Sequence, residues 1–267
     1  MSNGAILKIS APEAHGFWKV LVLRETPGLL AIDKPPHLLV APEKHRAEHP
    51  ILTRLLQRDI ANTTAWAKNR DLAFLDLIYP LDFESTGVVL YATEKNICAE
   101  LHNQLGSRQI QLQFTALVHR CTQEDEFEVD LKLAPHPTKR WLTRVNRSKG
   151  KQCLTQCRVL ERFREFTLLR CLTTTLRQHQ IRVHLAQSDH PVVGDSLYRG
   201  DLLMLSHLKP KYRPKRRVPE KPLIDRVAVH LSEVRFKDPT TEQVTIVKST
   251  LPKDLQVALK FLRRYGR

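Results

Sequence analysis

Apolar and polar residues alternate with a two-residue period over several stretches of this chain, and with a three-to-four-residue period over others. The run from Trp18 to Arg24 alternates as a strand does, and Thr26-Pro27-Gly28 is the turn that ends it. Leu29-Leu30-Ala31-Ile32 predicts a second short strand, stopped by Asp33-Lys34-Pro35-Pro36. The cleanest alternation sets Ile110, Leu112, Phe114, Ala116 and Val118 on one strand face. Val88-Val89-Leu90-Tyr91-Ala92 and residues 127–133, 153–174, 226–235 and 242–248 complete the predicted strands. Helices are predicted over 51–60, 94–105, 179–188 and 253–263. In the second of these, Ile97, Leu101 and Leu105 share a face, with Thr93 placed to cap the start and Gly106 the end. In the third, Ile181, Leu185 and Ser188 share a face, and His179, Arg182 and Ala186 lie beside it.

Strands and helices thus interleave irregularly, with hairpin-like neighbours and no internal repeat. The expected class is α+β, with a mixed, largely antiparallel central sheet and flanking helices. Residues 1–17 are expected to be a loose extension and 18–267 one domain carrying a basic insertion at about 201–221.

Charge changes the picture more than composition does. A hydrophobic share of 42% with 27% charged residues is that of an ordinary globular chain. Against this, 43 Lys and Arg face 28 Asp and Glu, a net charge of +15. Such an excess points to an anionic partner, nucleic acid before membrane, because no apolar run approaches the roughly 20 residues that span a bilayer. Cys98, Cys121, Cys153, Cys157 and Cys171 include no C-x-x-C pair and lack the ligand set of a zinc site. Reduced thiols in a cytoplasmic protein are expected. The N-terminus shows no signal-peptide pattern.

Two literal catalytic strings fail on context. His45-Arg46-Ala47-Glu48-His49 spells a zinc-hydrolase pattern, but Pro50 directly after it opposes the helix that would bring both histidines to one metal. Gly194-Asp195-Ser196-Leu197 spells a hydrolase signature late in the chain, with no D-x-x-H to complete it. Two other segments carry more. Tyr79-Pro80-Leu81-Asp82-Phe83-Glu84-Ser85-Thr86-Gly87 sets Asp82 in a polar turn just ahead of an apolar strand. Arg177-Gln178-His179-Gln180-Ile181-Arg182-Val183-His184-Leu185 packs two arginines and two histidines among apolar residues. Asp82 alone reads first as a turn-capping aspartate.

Together these segments resemble the RluA-type RNA pseudouridine synthases. Members commonly carry His-Arg-Leu-Asp-x-x-Thr-Ser-Gly where this chain has residues 79–87, and Gly-Arg-Thr-His-Gln-Ile-Arg-Val-His-Leu where it has 176–185. His190-Pro191-Val192-Val193-Gly194-Asp195 through Tyr198 follows at the family's distance and accounts for the hydrolase-like string. Ile32-Asp33-Lys34-Pro35 and Arg226-Val227-Ala228-Val229-His230 match flanking motifs. The chain departs from the pattern where Tyr79-Pro80 replaces His-Arg, Phe114 a base-stacking tyrosine, Leu112 a lysine and Leu176 a glycine.

The resemblance implies conversion of uridine to pseudouridine in structured ribosomal or transfer RNA, by flipping the base, cutting its glycosidic bond and rejoining it through C5. It implies no cofactor, no metal and no obligate protein partner. Asp82 would be the catalytic carboxylate and Arg182 its partner, with Phe114 stacked on the uracil and Val229 on the opposing wall. Arg177, His179, Gln180 and His184 are candidates for RNA contact, as are Lys209, Lys211, Arg213, Lys215, Arg216 and Arg217 of the basic segment. A non-catalytic RNA-binding protein of the same fold is the alternative, and retention of both Asp82 and Arg182 argues against it.

Overall fold

A computed structural model describes residues 4–212 and 219–266. Strands β1 (Ile6–Ala11), β2 (Gly16–Thr26) and β3 (Leu29–Lys34) lead into helices α1 (Leu52–Ala61) and α2 (Ala65–Lys68). Short β4 (Asp76–Leu77), β5 (Thr86–Ala92) and helix α3 (Lys95–Gly106) follow. Next come β6 (Gln111–His119), β7 (Glu126–Pro135), β8 (Thr143–Val145), β9 (Lys151–Arg162) and β10 (Phe166–Thr173), then α4 (Gln180–Gln187) and α5 (Leu205–Leu208). The chain closes with β11 (Val229–Lys237), β12 (Val244–Lys248) and α6 (Lys253–Tyr265). The α+β class is as expected. The single domain expected over 18–267 divides into two compact units, Met1–Leu112 with Leu231–Thr250, and Gln113–His230 with Leu251–Arg267.

In the first unit the strand order is β1-β2-β3-β5-β11, with β4 also on β5 and β12 on β11. The N-terminal residues are not loose. Strand β1 pairs antiparallel with β2, Ile6 opposite Leu21 and Ile9 opposite Trp18, and buries Leu7, Ile9 and Ala11. Its alternation is real but short, and a six-residue strand is held by its hairpin partner rather than by its own propensity. Strand β5 lies between β3 and β11 and is buried along its whole length. Its second residue, Gly87, has φ 116°, and a β-carbon there would stand 2.2 Å from the carbonyl oxygen of Leu231 on β11. Only glycine allows so close an approach immediately after the turn that carries Asp82. Helix α1 buries Leu52, Leu55, Leu56 and Ile60, and α3 buries Ile97 and Leu101. Thr93 does not cap α3; its backbone N–H donates to the Gly28 carbonyl, and the helix starts one residue later.

In the second unit the order is β6-β10-β9-β7-β8. Strand β9 alternates, sending Cys153, Thr155 and Cys157 inward. Cys157 stands directly opposite Cys171 on β10, with the sulfurs 3.8 Å apart and both thiols free. Helix α6 buries Leu255, Ala258, Leu259 and Leu262, and its first turn supplies Asp254 to the buried Arg226 through hydrogen bonds of 2.7 and 3.0 Å. Among the described residues, no helix is long and apolar enough to cross a membrane.

Candidate active site

The acid-bearing turn is built from below. Tyr79, 1% exposed, donates its hydroxyl hydrogen to the Val88 carbonyl at 3.1 Å, and burial raises its pKa well above the ordinary phenol value. It therefore serves as a neutral pillar of the core. Leu81 is also buried, and the chain surfaces at Asp82, which is half-buried. The Ser85 N–H donates to the Asp82 carbonyl at 3.1 Å and closes the turn, after which β5 begins.

Lys34, the last residue of β3, supports that turn from inside. Its ammonium group donates to the carbonyls of Pro35 (2.9 Å), Phe83 (3.1 Å) and Ser85 (2.7 Å), while the residue as a whole is 1% exposed. Three carbonyls match the three donors of an ammonium, so its desolvation is offset by charge-assisted hydrogen bonds. The neighbouring Asp33 accepts from the Ser249 hydroxyl at 2.9 Å; burial raises its pKa, against the lowering pull of Ser249 and Lys34.

The second cluster belongs to the other unit and centres on α4. The helix starts just after His179, whose backbone is left-handed (φ 55°), and every residue from Gln180 to Ala186 is buried. Arg182 is held by Asp195, with Nε and Nη2 each donating to one carboxylate oxygen at 2.7 Å; the side chains are 4% and 0% exposed. Its guanidinium carbon also lies 5.2 Å from the centroid of the Tyr198 ring. The Tyr198 hydroxyl accepts from the Thr143 N–H at 2.8 Å and lies 2.8 Å from Nδ1 of His179. Asp195 and Tyr198 thus fix both the cation and the entry to its helix. The string that spells a hydrolase signature is this anchor, and Ser196 within it is exposed.

Several of the expected RNA contacts are buried and engaged within the protein. His184 is 0% exposed, its Nδ1 is 2.9 Å from the Thr155 hydroxyl and its Nε2 is 3.6 Å from the Cys153 sulfur. Burial lowers its pKa to about 4, so it is a neutral core histidine. Gln180, 2% exposed, accepts from the Arg177 N–H and the Thr175 hydroxyl, and donates to Thr173 and Thr155. Its amide ties α4 to the sheet. His179, 5% exposed, is engaged with Tyr198. Arg177 remains half-buried, and its Nε has no hydrogen-bond partner among the described residues.

Phe114 and Val229 lie in the same unit and are 3% and 2% exposed. Their segments run side by side, the Leu117 N–H donating to the Ala228 carbonyl at 3.1 Å. Lys209 and Lys211 are exposed, with the Lys209 ammonium 5.9 Å from the Tyr265 ring centroid. Arg213, Lys215, Arg216 and Arg217 lie outside the described residues. No cluster of His, Cys, Asp and Glu able to hold a metal occurs among the described residues. What the two clusters offer chemically is one accessible carboxylate on a braced turn and one fixed, buried guanidinium.

Comparison with known proteins finds a family and a fold. A family model described as RNA pseudouridylate synthase matches residues 28–187, a span that holds both clusters' central residues. A ribosomal large subunit pseudouridine synthase D of Xanthomonas campestris is 32% identical over 242 residues, 91% of this chain and 69% of that protein. One from Haemophilus ducreyi is 30% identical, covering 91% and 70%. Among solved structures, human RNA pseudouridylate synthase domain containing 4 superposes with a TM-score of 0.67 at 20% identity, covering 91% of this chain and 92% of that one. The domain containing 1 relative gives 0.61 at 18% identity, covering 92% and 96%; both likenesses speak to fold.

Proposed function

Because the chain belongs to the RNA pseudouridylate synthase family, we propose that it converts specific uridines of structured ribosomal or transfer RNA to pseudouridine, with Asp82 as the catalytic carboxylate. The observation that carries the assignment is the construction of residues 79–87. Asp82 is half-buried at the head of a turn braced by the Lys34 ammonium and followed by a glycine that no other residue replaces without collision.

The reaction is an isomerisation and changes no atom count. The N1–C1′ bond breaks, the C5–C1′ bond forms, the hydrogen on C5 leaves as a proton and N1 gains one. Asp82 acts at the sugar, as nucleophile or as proton acceptor. Arg182, oriented by Asp195, is the second residue assigned to the reaction, as the cationic partner of the catalytic carboxylate. Phe114 stacks on the uracil and Val229 forms the apolar wall. Extruding the base costs roughly a few kcal/mol, which contacts from Arg177, Lys209, Lys211, Arg213, Lys215, Arg216 and Arg217 to phosphates offset. RNA is the partner, no second protein is required, and the cytoplasm is the compartment that suits this substrate.

The test is release of tritium from RNA labelled at C5 of uridine, since only rejoining through C5 expels that hydrogen. Purified protein should release it from RNA of cells lacking the gene. Tight RNA binding without release would favour the non-catalytic alternative.

A further inference from the structure

Residues 35–50 form a closed loop beside the acid-bearing turn. Its ends are pinned where Leu39 bridges Ile51, the Leu52 N–H donates to the Leu39 carbonyl at 2.7 Å and the Thr53 hydroxyl donates to the Val40 carbonyl at 2.6 Å. Phe83, the residue after Asp82, is the point on which this loop converges. The Arg46 guanidinium lies 4.4 Å over its ring centroid, and the rings of His37 and His49 meet it edge-on at 5.6 and 5.1 Å. Glu43 fixes Arg46 through a 3.1 Å hydrogen bond. His37 and His49 are exposed, and neither side chain makes a hydrogen bond or ion pair among the described residues. His37 also sits in the left-handed backbone region, φ 55°, which a non-glycine residue adopts at a cost.

Four flat π-systems therefore gather around one point, one residue from the catalytic carboxylate. A purely electrostatic role does not explain the set. Counting Lys44 and Arg46 against Glu43 and Glu48, the loop carries no net charge with its histidines neutral. Unstacked RNA bases are received by such surfaces, on Phe and His rings and on guanidinium planes. Flipping a uridine breaks its stacking with both neighbours, so a displaced neighbouring base needs a new face. We propose that the Phe83–His37–His49–Arg46 cluster is a stacking pad for an RNA base adjacent to the target uridine. The inference rests on the synthase assignment above and adds the nucleotide that the loop receives.

The experiment uses deproteinised total RNA from cells lacking the gene. RNA affinity is read by filter binding in the Asp82→Asn background at about 0.3 M salt, where phosphate contacts are weakened. Product is read with Asp82 present. The His37→Ala/His49→Ala double variant should lose about five- to 150-fold in affinity and in kcat/KM for each base stacked, with an unchanged melting temperature because both rings are exposed. Replacing both histidines by Phe should restore most of the loss, and replacing both by Lys should not. Rescue by Lys alone, or an unaffected double alanine variant, would overturn the pad. Absence of product from the wild-type protein would instead refute the synthase assignment, and the binding arm would still decide the pad.

Discussion

The substitution Asp195→Asn probes the bond that orients Arg182. It keeps the shape of the side chain and removes its charge. In the wild type both carboxylate oxygens accept from Arg182 at 2.7 Å, with the two side chains 0% and 4% exposed. An asparagine keeps one acceptor and turns an N–H₂ group toward a guanidinium N–H, so one bond is replaced by two opposed donors. Removing one partner of a buried pair costs about 3–5 kcal/mol. With about 2–4 °C of melting temperature per kcal/mol for a chain of this size, the variant should melt about 6–20 °C lower. At a temperature where it is still folded, kcat for pseudouridine formation should fall further than RNA affinity, because the guanidinium is misplaced rather than lost. The double variant Arg182→Leu/Asp195→Leu should be more stable than Asp195→Asn, as no charge is then left uncompensated, and it should be inactive. Calorimetry and single-turnover product formation read both quantities. A melting temperature for Asp195→Asn within about 2 °C of wild type would refute the claim that this pair holds α4 in place.

Three other outcomes are expected. Lys34→Met should lower kcat by about tenfold or more, equivalent to about 1.4 kcal/mol of transition-state stabilisation, with RNA affinity nearly unchanged, because the Phe83 and Ser85 carbonyls lose the group that sets the turn; equal loss of both would assign Lys34 to binding. His184 has a folded pKa of about 4, below its unfolded value, so its neutral form contributes stability that is complete above about pH 6.5 and lost as pH falls toward 4. By linkage that amounts to about 2 kcal/mol at pH 5, and urea unfolding of His184→Gln should show a correspondingly smaller drop between pH 7 and 5. Lys209→Gln/Lys211→Gln should reduce the slope of log affinity against log salt by about 1 for each phosphate contact removed, and an unchanged slope would take this segment off the RNA.

Periodicity made most of the core legible. The alternating strands and the helices α1, α3, α4 and α6 were readable because each buries one set of positions. Strand β1 was not, because its hairpin pairing with β2 is a tertiary fact that six residues cannot signal alone. At the site, Asp82 and Arg182 stood out as charges set against apolar runs. What holds them was hidden. Lys34 reads as one more surface lysine until its three carbonyls are in view. Asp195 sat inside a string that spells something else; the usable signal was that an arginine buried in an apolar helix requires a carboxylate. The surroundings of Gln180 and His184 were hidden as well, because polar residues on a helix read as accessible, whereas α4 is buried from Gln180 to Ala186 and bonds both internally. The pad around Phe83 was illegible because His37, Arg46, His49 and Phe83 are scattered in sequence and joined only by the loop's closure.

The most direct measurement is pseudouridine mapping on total RNA from cells with and without the gene, complemented by wild type or by Asp82→Asn. One or a few uridines modified with wild type and unmodified with Asp82→Asn is the predicted result, and it would identify the RNA as well. Modification restored by Asp82→Asn would remove Asp82 from its role. An identical map in all strains would contradict the proposed activity itself.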